Sequence, residues 1–83
     1  MNKYMYAVDG YSQRFELLST FKPGDIGGLA KDAAHDCWDF HGGDRVVYPI
    51  LIQLYQGSKL LGSARVKPIR DFYLMDVKKG ATA

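Results

Sequence analysis

The segment KDAAHDCWDFH, residues 31–41, decides the fold of this chain because it holds the one clearly amphipathic helix in the sequence. At about 100° per residue, small and apolar side chains before and within it share one side. That stripe consists of Ile26, Leu29, Ala30, Ala33, Cys37 and Phe40. Asp25 is the expected N-cap, and Gly42 supplies the positive φ that ends a helix. Because much of the stripe is small, we expect the helix to pack closely against a sheet that offers Gly62 and Ala64.

The residues before the helix predict a β-hairpin. Aromatic and smaller side chains alternate in residues 4–8, apolar and polar ones alternate in residues 11–17, and Asp9-Gly10 lies between the two runs. Asp-Gly in that position favours a two-residue type I′ turn, in which both central residues have positive φ. We therefore expect two antiparallel strands joined by a tight turn.

The residues after the helix predict a second hairpin and one further strand. Residues 46–56 are rich in β-branched and aromatic side chains, residues 60–67 alternate between two faces, and a glycine-containing turn at residues 56–59 separates them. Pro49 is expected where its strand begins or on a sheet edge. Residues 72–77 are a candidate fifth strand.

These elements predict an α+β domain with an antiparallel sheet of four to five strands and one α-helix packed on one face, in the order ββαββ. The domain is expected to span residues 1–77, and residues 78–83 are expected to form a flexible tail. A length of 83 residues allows one domain, and 47% hydrophobic residues exclude disorder. A single cysteine, no apolar run of about 18 residues and no signal-peptide core together predict a cytoplasmic protein that does not contact a membrane.

The net charge of +2 is unevenly distributed along the chain. Residues 1–44 contain four Lys/Arg and seven Asp/Glu, which gives −3, whereas residues 45–83 contain seven and two, which gives +5. Such segregation either steers a charged partner or only solvates the outer faces of the helix and the strands.

Three residues of the helix, His35, Cys37 and His41, suggest a metal site or a nucleophile pair. Cys37 and His41 are four residues apart and share a helical side, but His35 points elsewhere, and a structural zinc site needs four ligands. Cys37 also lies in the apolar stripe, where a thiol is usually inert. We therefore expect no metal, no cofactor and no catalytic residue.

The outer side of the helix is a candidate protein-binding surface. Asp32, Asp36 and Asp39 form an acidic ridge there, with His35 next to it and Trp38 on its flank. Tryptophan is a favoured interface anchor, and carboxylates suit the Lys/Arg surface that a nucleic-acid-binding protein displays. The alternative is that Trp38 covers the edge of the core.

The outer face of the sheet is the alternative binding surface, for nucleic acid. Arg14, Tyr55, Arg65 and Lys67 are expected to project together there, and aromatic residues among basic ones stack bases and follow phosphates. Cross-strand pairs of this kind are also routine on a half-exposed sheet. The chain has no RNP-like motif or helix-turn-helix signature, so we expect this function less than protein binding.

The order of motifs over residues 30–73 resembles a group of small phage and proteobacterial proteins. The motifs are the acidic helix, His41-Gly-Gly-Asp44, Tyr48-Pro49 and a glycine-containing hairpin at residues 54–62. In that group the helix runs into His-Asp/Gly-Gly-Trp-Glu, then Trp-Pro, then a hairpin of the form Asp-Gly-x-x-Leu-Gly. This chain has Asp44-Arg45 in place of Trp-Glu, and Tyr48 in place of the second Trp.

The resemblance implies a phage or mobile-element setting. Small single-domain proteins from that setting often bind and block host machinery, anti-CRISPR proteins among them. The expected function is therefore a non-catalytic protein-binding module, a monomer or homodimer, that inhibits a host defence complex through the acidic helix.

Overall fold

A computed structural model describes residues 1–69 and 71–80 and confirms an α+β fold with one helix and a five-stranded antiparallel sheet. The elements are β1 (Asn2–Val8), β2 (Arg14–Ser19), α1 (Ile26–Phe40), a 3₁₀ turn (Gly43–Arg45), β3 (Ile50–Gln56), β4 (Lys59–Lys67) and β5 (Tyr73–Lys79). The observed order is ββαβββ, so the expected order ββαββ lacked the last strand, β5. In the part of the chain that is described, no helix combines the length and the apolar composition needed to cross a bilayer.

The sheet order is β2-β1-β3-β4-β5, with every neighbouring pair antiparallel. The two hairpins meet through β1 and β3, although α1 connects β2 to β3 along the chain, so the centre of the sheet is made by strands far apart in the sequence. Tyr6 lies opposite both Phe15 and Leu54, and Leu54 lies opposite Gly62. Residues that face each other across antiparallel strands share a face, so this row belongs to the side that packs against α1.

Helix α1 buries one side against the sheet, and its buried residues are Ile26, Leu29, Ala30, Ala33, Ala34 and Cys37. Five of these were expected, but Phe40 is 75% exposed and Ala34 is buried instead. Phe40 is the last residue of the helix and lies three residues beyond Cys37, the last buried one. The cap is as expected: the Asp25 side chain accepts a hydrogen bond from the Gly28 N–H at 2.9 Å.

The predicted close approach of helix and sheet is present at Gly62. A Cβ atom there would lie 2.8 Å from Cγ1 of Ile26 and would overlap the carbonyl oxygen of Lys78. Only a glycine at this position of β4 lets the first turn of α1 reach the strand.

Three boundaries differ from the sequence expectations. Gly10 has φ of +90°, whereas the φ of Asp9 is not positive. The Asp9 N–H donates to the Leu51 carbonyl at 3.0 Å, and the second strand begins only at Arg14. The turn is therefore not type I′. Strand β3 begins at Ile50, directly after Pro49, and not at residue 46. Strand β5 continues through Lys79, so the first two residues of the expected tail belong to the sheet, while residues 81–83 lie outside the described residues.

Candidate binding surfaces

Two residues of the expected acidic ridge, Asp32 and Asp36, are held by the sheet. The Ser19 hydroxyl donates to Oδ2 of Asp32 at 2.6 Å, and the Tyr6 hydroxyl donates to Oδ2 of Asp36 at 2.6 Å. Both carboxylates are half-buried, on the edge of α1 that faces β1 and β2. They are therefore not free on an outer ridge, and they act first as acceptors that fasten the helix to the sheet.

His41 extends this contact at the end of the helix. Its Nε2 lies 3.4 Å from Oδ2 of Asp36, and its ring stacks on Phe15 with 3.8 Å between centroids. The Tyr11 hydroxyl donates to the His41 carbonyl at 2.8 Å. Burial, with the hydrogen bond to Asp36, raises the pKa of Tyr6 far above its usual range, so its hydroxyl remains a donor. Two groups of the first hairpin, the Phe15 ring and the Tyr11 hydroxyl, therefore hold the end of the helix at His41.

The other edge of α1 carries Trp38 and His35. Trp38 is 38% exposed and packs between the rings of Tyr48 and Phe72, at centroid distances of 6.1 and 6.0 Å. His35 places Nε2 2.5 Å from Oδ1 of Asp71 and its ring edge-to-face with Phe72. The Trp38 ring therefore covers the edge of the core, as the alternative expectation had it, and part of the ring remains accessible.

The expected acidic surface is thus divided in two. Asp32 and Asp36 lie on the side of β1 and β2, His35 and Trp38 lie on the side of β5, and Asp39 is exposed on the helix between them. The sequence gives no direct signal for Asp71 and Phe72, which complete the second edge from the β4–β5 connection.

Cys37 is fully buried, and burial raises the pKa of its thiol. A buried thiol with a raised pKa is a poor nucleophile and a poor metal ligand. Within residues 1–69 and 71–80, no three His, Cys, Asp or Glu side chains are grouped so that they could hold a metal ion.

The sheet face opposite α1 has no element packed over it among the described residues, and its charge is mainly positive. The strand registers place five basic residues on it: Lys3, Arg14, Arg65, Lys67 and Lys78. Its acidic residues are Glu16, 3.2 Å from Lys3, and Asp76, 3.6 Å from Arg65. We call this surface the open sheet face.

The structure brings the four residues expected on this face into one diagonal row. The Arg14 guanidinium lies over the Tyr55 ring at 3.8 Å from its centroid, reaching across β1. Arg65 follows on β4, and Lys67 lies 5.7 Å from the centroid of Tyr73 at the far end. Sequence reasoning missed Tyr73, which is 54% exposed. Its pairing with Lys67 depends on the register of β5, which the sequence does not show.

Comparison of the chain with protein-family models, with curated proteins and with solved structures finds no match in any of the three. Each candidate surface is therefore identified by its geometry alone.

Proposed function

We propose that this protein is a non-catalytic domain that binds single-stranded nucleic acid on the open sheet face. The observation that carries the proposal is the diagonal row, with a tyrosine–cation pair at each end, Arg14 with Tyr55 and Lys67 with Tyr73. Aromatic rings stack on unpaired bases of any sequence, and neighbouring cations neutralise the phosphates between them.

The dimensions of the face suit a short single strand. Tyr55 lies opposite Leu60 at one end of β4, and Tyr73 lies opposite Lys67 at the other. At about 3.3 Å per residue and about 4.8 Å between strands, the two rings are roughly 20 Å apart. Arg65 lies between them. A single strand that follows this diagonal can place one base on the Tyr73 ring, a second on the Arg14 guanidinium that covers Tyr55, and phosphates near Arg65.

A single strand suits this surface better than a duplex. In a duplex the base faces are hidden in the stack, so the exposed Tyr73 ring would have no base to stack on. Among the described residues, no helix projects from this face to enter a major groove, since α1 packs on the opposite side.

The test is fluorescence anisotropy with a labelled oligothymidylate of about 12 nucleotides. If four of the five basic residues on the open sheet face contact phosphates, the affinity should fall roughly 50-fold between about 50 and 200 mM salt. Each contact contributes about −0.7 to the slope of log affinity against log salt concentration. Tyr73→Ala should weaken binding by at least about fivefold, as expected for the loss of one stacked base.

Charge reversal supplies a matched control. Lys67→Glu and Lys31→Glu change the net charge equally, but Lys67 is on the open sheet face and Lys31 is exposed on α1. Lys67→Glu should weaken binding at least about fivefold more than Lys31→Glu does. Equal effects of the two variants, or an unchanged affinity in Tyr73→Ala, would reject the open sheet face as the site.

Protein binding through α1 is the second candidate, and the partly exposed ring of Trp38 favours it. In this proposal the partner is a host protein, as the resemblance to phage proteins implies, and Asp39 and Trp38 provide the contact. Asp39→Lys should then abolish capture of that partner from nuclease-treated host lysate, with Asp9→Lys as the control of equal charge. Capture that disappears after nuclease treatment would reject this candidate and favour the first.

A further inference from the structure

We propose that a small cavity beside Trp38 binds one basic side chain, an arginine or lysine, from a protein partner. The inference rests on the second candidate, protein binding at α1, and not on the open sheet face. The group recognised at this edge of α1 is the guanidinium of arginine or the ammonium of lysine.

The cavity lies between one edge of α1 and the connection from β4 to β5. Its volume is about 220 Å³, and it is lined by His35, Trp38, Pro68, Asp71 and Phe72. Two rings meet there nearly at right angles, since the planes of Trp38 and Phe72 are inclined by 70°. A cavity of this size admits one side chain, and its rim is open to an approaching protein surface.

The chemistry of the lining combines aromatic rings with a carboxylate. The Asp71 side chain is 58% exposed, and its contact with His35 uses Oδ1 and leaves Oδ2 unused by that contact. A cation above a tryptophan ring is attracted by the negative face of the ring. A carboxylate within reach adds a charge-assisted hydrogen bond, which a guanidinium can make with two N–H groups.

Other occupants fit less well. A phosphate or a carboxylate would be repelled by Asp71. A purely apolar side chain would cover Oδ2 of that carboxylate, which the contact with His35 does not use, without giving it a partner, and this costs free energy. Arginine and lysine have an apolar stem for Pro68 and the Trp38 ring and a charged end for Asp71.

The experiment uses the intrinsic fluorescence of Trp38, because the chain contains one tryptophan. The probe is the peptide acetyl-Gly-Gly-Arg-Gly-Gly-amide, and the matched probe has citrulline, the neutral isostere, in place of arginine. A single charged side chain in an open cavity should bind the full-length protein with a Kd of about 1 mM. The citrulline peptide and a norleucine peptide should bind at least about fivefold more weakly.

Asp71→Asn should weaken binding of the arginine peptide at least about fivefold, because it removes the charge and keeps the shape. Asp9→Asn makes the same charge change in the β1–β2 turn and should leave the affinity unchanged. If Asp71→Asn does not fold, the three peptides still decide the question on the unaltered protein.

Equal binding of the arginine and citrulline peptides would overturn the proposal, and so would preferred binding of norleucine. No fluorescence change at about ten times the expected Kd would overturn it as well. Any of these results leaves the lysate test of Asp39 intact, so failure of the cavity proposal is distinguishable from failure of protein binding at α1.

Discussion

Replacing Gly62 by alanine should destabilise the protein strongly, because this glycine sets the distance between helix and sheet. The new Cβ would lie 2.8 and 2.9 Å from two atoms of Ile26 and would overlap the backbone carbonyl of Lys78. The Ile26 side chain can shift, but the carbonyl belongs to the β4–β5 ladder and cannot. Overpacking of this kind costs about 1–3 kcal/mol, and the loss of glycine flexibility in the unfolded chain returns about 0.5–1 kcal/mol. The net loss is up to about 2.5 kcal/mol, which lowers Tm by up to roughly 20 °C in a domain of this size.

Thermal and urea unfolding followed by circular dichroism measures this loss. Gly24→Ala is the matched control, because a Cβ at Gly24 meets no atom within 4 Å. Its stability should be unchanged or slightly higher. In Gly62→Ala, a second change of Ile26 to Val removes Cδ1 but keeps a γ carbon, so it should not restore stability, since that carbon and the carbonyl of Lys78 both remain in the way. Equal midpoints for Gly62→Ala and Gly24→Ala would refute the reasoning, and full rescue by the valine would refute the role of the carbonyl.

Three further predictions concern the polar contacts and the thiol. Tyr6→Phe removes the hydrogen bond to Asp36 and should lower the free energy of unfolding by about 1.5–3 kcal/mol in urea melts, whereas Tyr55→Phe, on the open sheet face, should change it by less than about 0.5 kcal/mol. Burial raises the pKa of Tyr48 to about 12, so above pH 10 the folded state keeps a proton that the unfolded state loses. Stability should therefore fall as the pH rises from 10 to 12, and less steeply in Tyr48→Phe; an identical slope in the variant would contradict this. The buried Cys37 should react with a thiol reagent only in denaturant, so rapid reaction of the folded protein would show that the helix opens locally.

The helix and its contact with the sheet were predictable because their signals are local. The apolar stripe repeats at the helical period, Asp25 caps the first turn, and the small residues of α1 indicated a close approach that Gly62 provides. Five of the six residues expected in the stripe are buried. The exception, Phe40, is the last residue of the helix, and how far the covering residues extend along α1 is a property of the tertiary structure.

The acidic ridge was only partly predictable because its environment is made by distant residues. The hydroxyl that binds Asp36 comes from Tyr6, 30 positions earlier, and the one that binds Asp32 comes from Ser19, 13 positions earlier. The helical period correctly placed these carboxylates away from the centre of the buried side. It did not show that a strand hydroxyl reaches the edge of the helix, since that depends on sheet order. The same order, β2-β1-β3, lets Arg14 reach Tyr55 across β1.

The basic and acidic residues that are separated along the sequence lie mainly on opposite sides of the folded protein. The open sheet face carries five basic residues, while Asp39 and Asp71 lie exposed on the helix side of a molecule that measures 23 Å along its shortest axis. Charges on opposite sides are therefore farther apart than the Debye length of about 8 Å at physiological salt. Each surface should then act independently in those conditions, and the acidic layer should weaken nucleic-acid binding only when salt is low. Asp39→Lys tests this: the affinity for the oligonucleotide should rise at about 10 mM salt, where the Debye length is about 30 Å, and should not change at about 150 mM. A rise of equal size at both salt concentrations would mean that the oligonucleotide contacts the helix, and that the open sheet face is not the whole site.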